Sequence, residues 1–232
     1  MNFPDFTKFE REMGFDFKDK NLLRQAFTHR SYINENKTVG FSHNERLEFL
    51  GDAVLELVMT EFLFKEFPDK QEGELTSYRA SLVNTIIISK IASDIGMNDY
   101  LLLSKGESKD TGRARQVILA NTFEALIGSI YIDAGYDKAK DFILSNLSGK
   151  IKPIIEKSLW KDPKSLLQEK AQEFLSVTPV YKTLNEVGPD HNKLFTVGLY
   201  LGDDLVSEGK GHSKQEAQED AARIALKKNN WG

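Results

Sequence analysis

Two long segments of this chain repeat their apolar residues every 3.6 positions, and each carries a glycine in its interior. They are NERLEFLGDAVLELV, residues 44–58, with Gly51, and QVILANTFEALIGSIYID, residues 116–133, with Gly128. Glycine costs roughly 1 kcal/mol against alanine inside a helix, so a sequence that places one there twice needs a compensating contact. Close packing of the two helices supplies that compensation, and it constrains everything else these segments carry.

What they carry is oxygen. At 100° per residue, Glu45, Glu48 and Asp52 fall within about 60° of one another, bordering an apolar surface of Leu47, Leu50, Val54 and Leu57. The second segment repeats the design, with Asn121 and Glu124 one turn apart and Gly128 on the same face. Packed together, the two stripes form a groove of ionised carboxylates whose pKa values rise unless a cation intervenes. Oxygen donors without Cys or paired His suit Mg²⁺ or Mn²⁺ rather than zinc, and such an ion activates water and neutralises charge on a phosphodiester. A single acid pair at this spacing is most often a solvated helix face. Two faces with embedded glycines leave the solvated face and the cation site as open alternatives.

Around these segments the first two-thirds of the chain read as helical, over Leu22–Tyr32, Glu45–Phe67, Glu74–Ile95, Gln116–Asp133 and Ala139–Ile155, an all-α domain. The texture changes near 157–163. A helix over Ser165–Leu175 precedes alternating stretches at Val180–Asn185, Leu194–Leu201 and Leu205–Glu208. A last helix opens at Ser213 with Glu216 three residues on, a capping-box arrangement. The order α-β-β-β-α describes a small α+β module. The expected boundaries are 1–157 for the helical domain, 158–162 for a linker and 163–232 for the module.

Composition narrows the setting. There are no cysteines, which excludes disulfides and thiolate zinc sites and is compatible with a cytoplasmic protein. No apolar run approaches the ~20 residues that span a bilayer, and the opening MNFPDFTKFEREMGF lacks the pattern of a secretion signal, so no membrane association is expected. The net charge is −4, and from Asp162 onward nine Lys and Arg face eleven Asp and Glu, so nucleic acid would have to be held by local patches. His29 and His43 read as hydrogen-bonding or capping residues rather than general bases.

NERLEFLGDAVLELV closely resembles the signature of the ribonuclease III family of double-strand-specific RNA endonucleases. The resemblance continues through FTHRSY (27–32), FPDKQEGELTSYRASLVN (67–84), LLLSKGE (101–107) and ILANTFEALIGSIYID (118–133). DPKSLLQE (162–169) and GKGHSKQEAQEDAARIAL (209–226) resemble a double-stranded-RNA-binding domain. The resemblance implies an all-α endonuclease domain followed by that RNA-binding domain. It implies a metal shell of Glu48, Asp52, Asn121 and Glu124, holding Mg²⁺ with Mn²⁺ as a substitute. Asp52 and Glu124 would lie closest to the chemistry, and Glu45 and Glu72 would edge the cleavage groove. Family members dimerise through the signature helix, which would make Phe49 an interface residue of a homodimer. The implied activity cuts double-stranded RNA to 5′-phosphate and 3′-hydroxyl ends during processing of ribosomal, messenger and transfer RNA precursors.

In the second domain the resemblance assigns minor-groove contacts to Gln168 and Glu169, and to the loop holding Pro189, Asp190 and His191. Phosphate contacts fall to the helix start at Ser213 with Lys210, His212 and Lys214. Arg79, Lys105, Lys109, Arg113 and Arg115 are further candidates for the RNA path. Two departures stand out. Asn121 occupies a position that is usually aspartate in the family. That leaves an active natural variant, a site of lower metal affinity, and a catalytically impaired RNA-binding protein as alternatives, the first being favoured. Gln215 replaces a second basic residue after Lys214, which predicts weak affinity and a shallow salt dependence.

Overall fold

A computed structural model describes residues 3–37, 40–156, 160, 162–189 and 193–231 of the chain. The chain divides into two compact units, Met1–Pro153 and Ile154–Gly232. The linker expected at 158–162 lies largely outside the described residues.

In the first unit, α1 (Phe6–Met13) is capped by Asp5, whose Oδ1 accepts from the Thr7 and Lys8 amides, and it buries Phe9. The helix expected over Leu22–Tyr32 is two helices, α2 (Lys20–Ala26) and α3 (Arg30–Glu35). Thr28 breaks it by pairing in parallel with Leu102, with hydrogen bonds from Leu102 N to Phe27 O (2.9 Å) and from His29 N to Leu102 O (3.0 Å). This short bridge then starts α4 (Glu45–Glu66). The Asn44 amide donates to Thr28 O at 2.9 Å, and its buried side chain donates to Ala26 O at 3.0 Å.

The segment expected as one helix over Glu74–Ile95 is also two, α5 (Glu72–Leu82) and α6 (Thr85–Asp94). Asn84 turns extended between them and caps α6 by accepting from Ile87 N at 3.0 Å. Next come α7 (Arg113–Ala134), α8 (Tyr136–Leu147) and, after a short 3₁₀ turn, α9 (Ile151–Glu156), whose first half closes the first unit. The fully buried Leu55, Val58 and Met59 of α4 and Phe123, Leu126, Ile127 and Ile130 of α7 supply much of the unit's core. By length and composition α7 is long and apolar enough to cross a membrane, contrary to the reading of the sequence, but most of that apolar stretch is buried inside the unit.

The second unit holds α10 (Pro163–Leu175), β1 (Val180–Val187), β2 (Leu194–Leu201), β3 (Asp204–Gly211) and α11 (Lys214–Lys228). The strands form an antiparallel sheet in the order β1-β2-β3. The helices cover the sheet face that presents Leu199, enclosing Leu166, Leu167, Ala221, Ala222, Ala225 and Leu226. Glycine is required where β3 meets α11. A β-carbon at Gly209 would lie 2.1 Å from the Ala221 nitrogen, and one at Gly211 2.6 Å from the Ala217 nitrogen. The alanines of QEAQEDAARIA are the matching small surface, and this contact sets the start of α11 beside the end of β3.

Candidate nuclease centre and RNA-binding surface

Helices α4 and α7 touch backbone to backbone at the two interior glycines. A β-carbon on Gly51 would sit 1.7 Å from the Glu124 carbonyl oxygen, and one on Gly128 2.2 Å from the Leu47 carbonyl oxygen. No side chain fits between the helices there, so the residues beside the glycines and within two turns of them on the same faces are carried toward each other. Those residues are Glu48 and Asp52 on α4 and Asn121 and Glu124 on α7.

Their electrostatics follow from that approach. The Glu124 carboxyl is pushed up to about 7, first by burial and then by the negative charges of Asp52 and Glu48. Glu48 is also raised, by burial and by Glu45 and Asp52, while hydrogen bonding with the Asn121 side chain pulls it the other way. Asp52 is the most exposed of the three. Half-buried acids pressed together have the character of a cation site. Among the described residues, no three His, Cys, Asp or Glu side chains converge tightly enough to cage an ion alone. Oxygen donors without Cys or paired His are of the kind that suits a hard cation retaining several of its waters.

The remaining acids divide. Glu45 opens α4 beside Glu48, with Arg30 Nη1 3.5 Å and His43 Nδ1 3.7 Å from its carboxylate. Glu72 stands apart. It opens α5, accepts from Thr76 Oγ1 at 3.1 Å and lines a groove of about 460 Å³ with Thr60, Leu63, Phe64 and Arg79. Those α4 residues lie roughly 12 Å or more along the helix from Asp52, so a single chain does not bring Glu72 to the cluster. Both histidines act as caps. His29 Nδ1 accepts from Ser31 N at 3.3 Å, with burial lowering its pKa, and His43 Nδ1 accepts from Glu45 N at 3.4 Å.

Two arginines of the supposed RNA path are structural ties. Arg79 pairs with Glu56 at 2.8 Å and donates to Thr60 Oγ1 at 2.7 Å, joining α5 to α4. Arg115 donates to Glu107 O at 2.9 Å and to Asn98 Oδ1 at 3.1 Å, pinning the loop before α7. Lys105, Lys109 and Arg113 are exposed. Phe49 is 81% exposed and shares a face of α4 with the exposed Leu57 and Phe64.

In the second unit Gln168 and Glu169 are exposed on α10, whose start is capped by Asp162 accepting from Ser165 N at 2.8 Å. The capping box expected at α11 forms in part, its reciprocal bond reaching the His212 amide rather than that of Ser213. Ser213 Oγ accepts from Glu216 N at 3.1 Å, and Glu216 Oε2 accepts from His212 N at 2.9 Å. Lys210 is exposed at the end of β3, its amide bound to Asp220 at 3.0 Å, and Lys214 stands exposed in the first turn of α11. Asp190 and His191 lie outside the described residues. Two residues passed over in the sequence belong to this surface, Glu186 and Lys193. Glu186 contacts both Lys193 and Lys214, and its position just ahead of the GPDHNK loop was the one available signal.

A helical unit with an acid-lined helix crossing, followed by an α-β-β-β-α module, defines a nuclease coupled to a duplex-RNA-binding domain. Residues 19–151 match the family model described as ribonuclease-III-like, and residues 163–229 match the double-stranded RNA binding motif. Proteins named Ribonuclease 3 resemble the chain over nearly their full length. That of Borreliella burgdorferi is 43% identical, covering 95% of this chain and 90% of the relative. That of a Nitratiruptor species is 44% identical, covering 95% of each. A crystal structure of the ribonuclease III nuclease domain from Campylobacter jejuni is 40% identical with a TM-score of 0.56, covering 63% of this chain and 96% of that one. A second structure from the same organism, concerned with flexibility in a region involved in dimer formation, is 41% identical with a TM-score of 0.55, covering 61% of this chain and 98% of that one. The chain belongs to the ribonuclease III family of generally metal-dependent nucleases and is a double-stranded-RNA endoribonuclease.

Proposed function

We propose that the α4–α7 crossing is the cleavage centre, with Glu48, Asp52, Asn121 and Glu124 holding Mg²⁺ or, in its place, Mn²⁺. The observation that carries this reading is the backbone contact at Gly51 and Gly128, which presses these groups together and drives the Glu124 carboxyl up to about 7. Bound there, the ion would supply an activated water and charge neutralisation at the phosphodiester. The chain's own part is to fix the donors. Asn121 contributes a neutral amide oxygen and restrains Glu48, and Glu124 and Asp52 supply the charge nearest the scissile group. Glu45, beside Arg30, borders the groove. Cleavage leaves 5′-phosphate and 3′-hydroxyl ends.

The exposed Phe49, Leu57 and Phe64 support self-association through α4, in keeping with the dimer-forming region named for the Campylobacter jejuni nuclease domain. In such a homodimer Phe49 would be covered, and Glu72, remote from its own chain's cluster, would edge a shared cleavage valley. In the RNA-binding domain (163–232, with the nuclease domain at 1–157) Gln168, Glu169 and His191 would meet the minor groove. Lys210, His212, Ser213 and Lys214 would meet phosphate at the start of α11. The work this suits is maturation of structured RNA precursors in the cytoplasm.

The test is cleavage of a long RNA duplex, followed on a gel, with Mg²⁺ or with EDTA. Metal-dependent fragments that vanish in Glu124→Ala, with duplex binding retained, are the expected result. Undiminished cutting by that variant would remove the crossing from the mechanism.

A further inference from the structure

Most acids near the start of α11 are engaged by backbone or local partners. Glu216 accepts from the His212 amide, Asp220 from the Lys210 amide, and Glu219 from the Gln215 side chain. Glu186, on β1 before the 188–193 loop, differs. Its Oε1 lies 3.4 Å from Lys214 Nζ on α11, and its Oε2 lies 3.9 Å from Lys193 Nζ just before β2. The Lys214 ammonium also sits 5.8 Å from the centre of the Phe195 ring. One carboxylate thus spans two lysines from two elements, at the surface where the domain would meet phosphate.

We propose that Glu186 is an internal stand-in for RNA phosphate, a specificity-determining residue that duplex RNA must displace. The inference rests on the reading above that Lys214 contacts phosphate. In the free protein Glu186 cancels one of two positive charges and keeps both ammonium groups gathered at one point. The Glu186 side chain is 39% exposed and that of Lys214 59%, so exchange for phosphate is sterically open and energetically cheap. The exchange has a cost that a sparse or flexible array of phosphates repays poorly and a rigid duplex, with phosphates at fixed spacing, repays well. Because the freed carboxylate regains a counterion as the RNA sheds its own, the net ion release is reduced. This adds to the effect of Gln215 in flattening the salt dependence.

The experiment measures binding of a labelled RNA duplex to the full-length protein by fluorescence anisotropy, in EDTA so that nothing is cut, over a range of salt. Glu186→Gln is compared with Lys214→Ala, with the double variant, and with Asp204→Asn. The last is a charge-matched control at the β2–β3 turn, about 20 Å along the strands from the α11 start. Removing one charge at a distance of about 5 Å in water predicts roughly fourfold tighter binding for Glu186→Gln at low salt, closing as salt rises. The gain should fall below half on the Lys214→Ala background, and Asp204→Asn should gain much less. Equal or weaker binding by Glu186→Gln, an undiminished gain without Lys214, or the same gain from Asp204→Asn would each overturn the proposal. Lys214→Ala separates the two readings. If it weakens binding while Glu186→Gln changes nothing, only Glu186's role fails; if it has no effect, the phosphate contact itself fails with it.

Discussion

The two ends of α4 treat their carboxylates in opposite ways. Near the N-terminal end Glu48 and Asp52 face Glu124 across a helix crossing that supplies carboxylates and one amide, and the Glu124 pKa climbs to about 7. Toward the C-terminal end Glu61 is surrounded by Lys65, Lys140 and Tyr136, with Lys140 Nζ at 2.9 Å and Tyr136 Oη at 2.7 Å, and its pKa falls to about 2. One helix therefore carries a structural acid, satisfied within the protein, and acids that repel one another across the crossing. The difference lies in burial and partners together: Glu124 is raised first by burial and then by like charges, whereas Glu61 is met by two lysines and a tyrosine hydroxyl.

The comparison breaks most plainly at Glu124. Glu124→Gln should lower the cleavage rate by about a thousandfold or more, the scale of losing a group central to transition-state charge, while its melting temperature holds or rises because a buried repulsion is removed. Loss of folding in this variant, seen by circular dichroism, would make Glu124 a structural acid like Glu61. Gly128→Ala asks whether the crossing itself creates the contrast. Its methyl would meet the Leu47 carbonyl, so the helices must part, at a cost of about 1–3 kcal/mol in stability. Cleavage should fall by at least about a hundredfold, as expected for misplacement on the ångström scale. A fully active Gly128→Ala would show that the acids do not depend on the contact.

Asn121→Asp sharpens the comparison from within the cluster. Adding charge where the acids already repel should raise the demand for a cation. The Mg²⁺ concentration for half-maximal cleavage should then drop several-fold, a magnitude of about 1 kcal/mol. An unchanged requirement in a metal titration would remove Asn121 from the donor set.

The sequence made the crossing legible because two interior glycines are costly anomalies within strong 3.6-residue patterns. It did not reveal where helices break. Thr28 leaves the helix to pair with Leu102, more than seventy positions away, and nothing local in FTHRSY announces that partner. Asn84 was a readable stop, since asparagine before threonine suits an N-cap, but the apolar pattern runs smoothly through it. The short α1 was passed over although Asp5 and Phe9 mark its cap and its buried face. Strand β1 extends beyond its expected end because nearly all of its side chains are exposed and show no alternation, and β3 runs on through Gly209 and Gly211, which carry no side chain to continue the pattern. The separation of Glu72 from the other acids is a tertiary fact with no one-dimensional trace, and the pairing of Glu186 with Lys193 and Lys214 left only its place ahead of the GPDHNK loop as a sign.

The smallest expected effect belongs to the structural end of α4. Glu61 ties α4 to Lys140 and Tyr136 of α8, and the same contacts, after burial, raise Tyr136 to about 12. A carboxylate whose pKa is lower folded than unfolded stabilises the fold above its unfolded value. That stabilisation fades as pH falls from there toward the folded value of about 2. Glu61→Gln should therefore melt slightly below the parent at pH 7, with the gap narrowing steadily as pH drops below about 4.5, and cleavage at neutral pH should match the parent. A gap that persists unchanged at pH 3 would mean that packing rather than charge holds this end of the helix. Cleavage lost along with it would mean that the two ends of α4 are not independent.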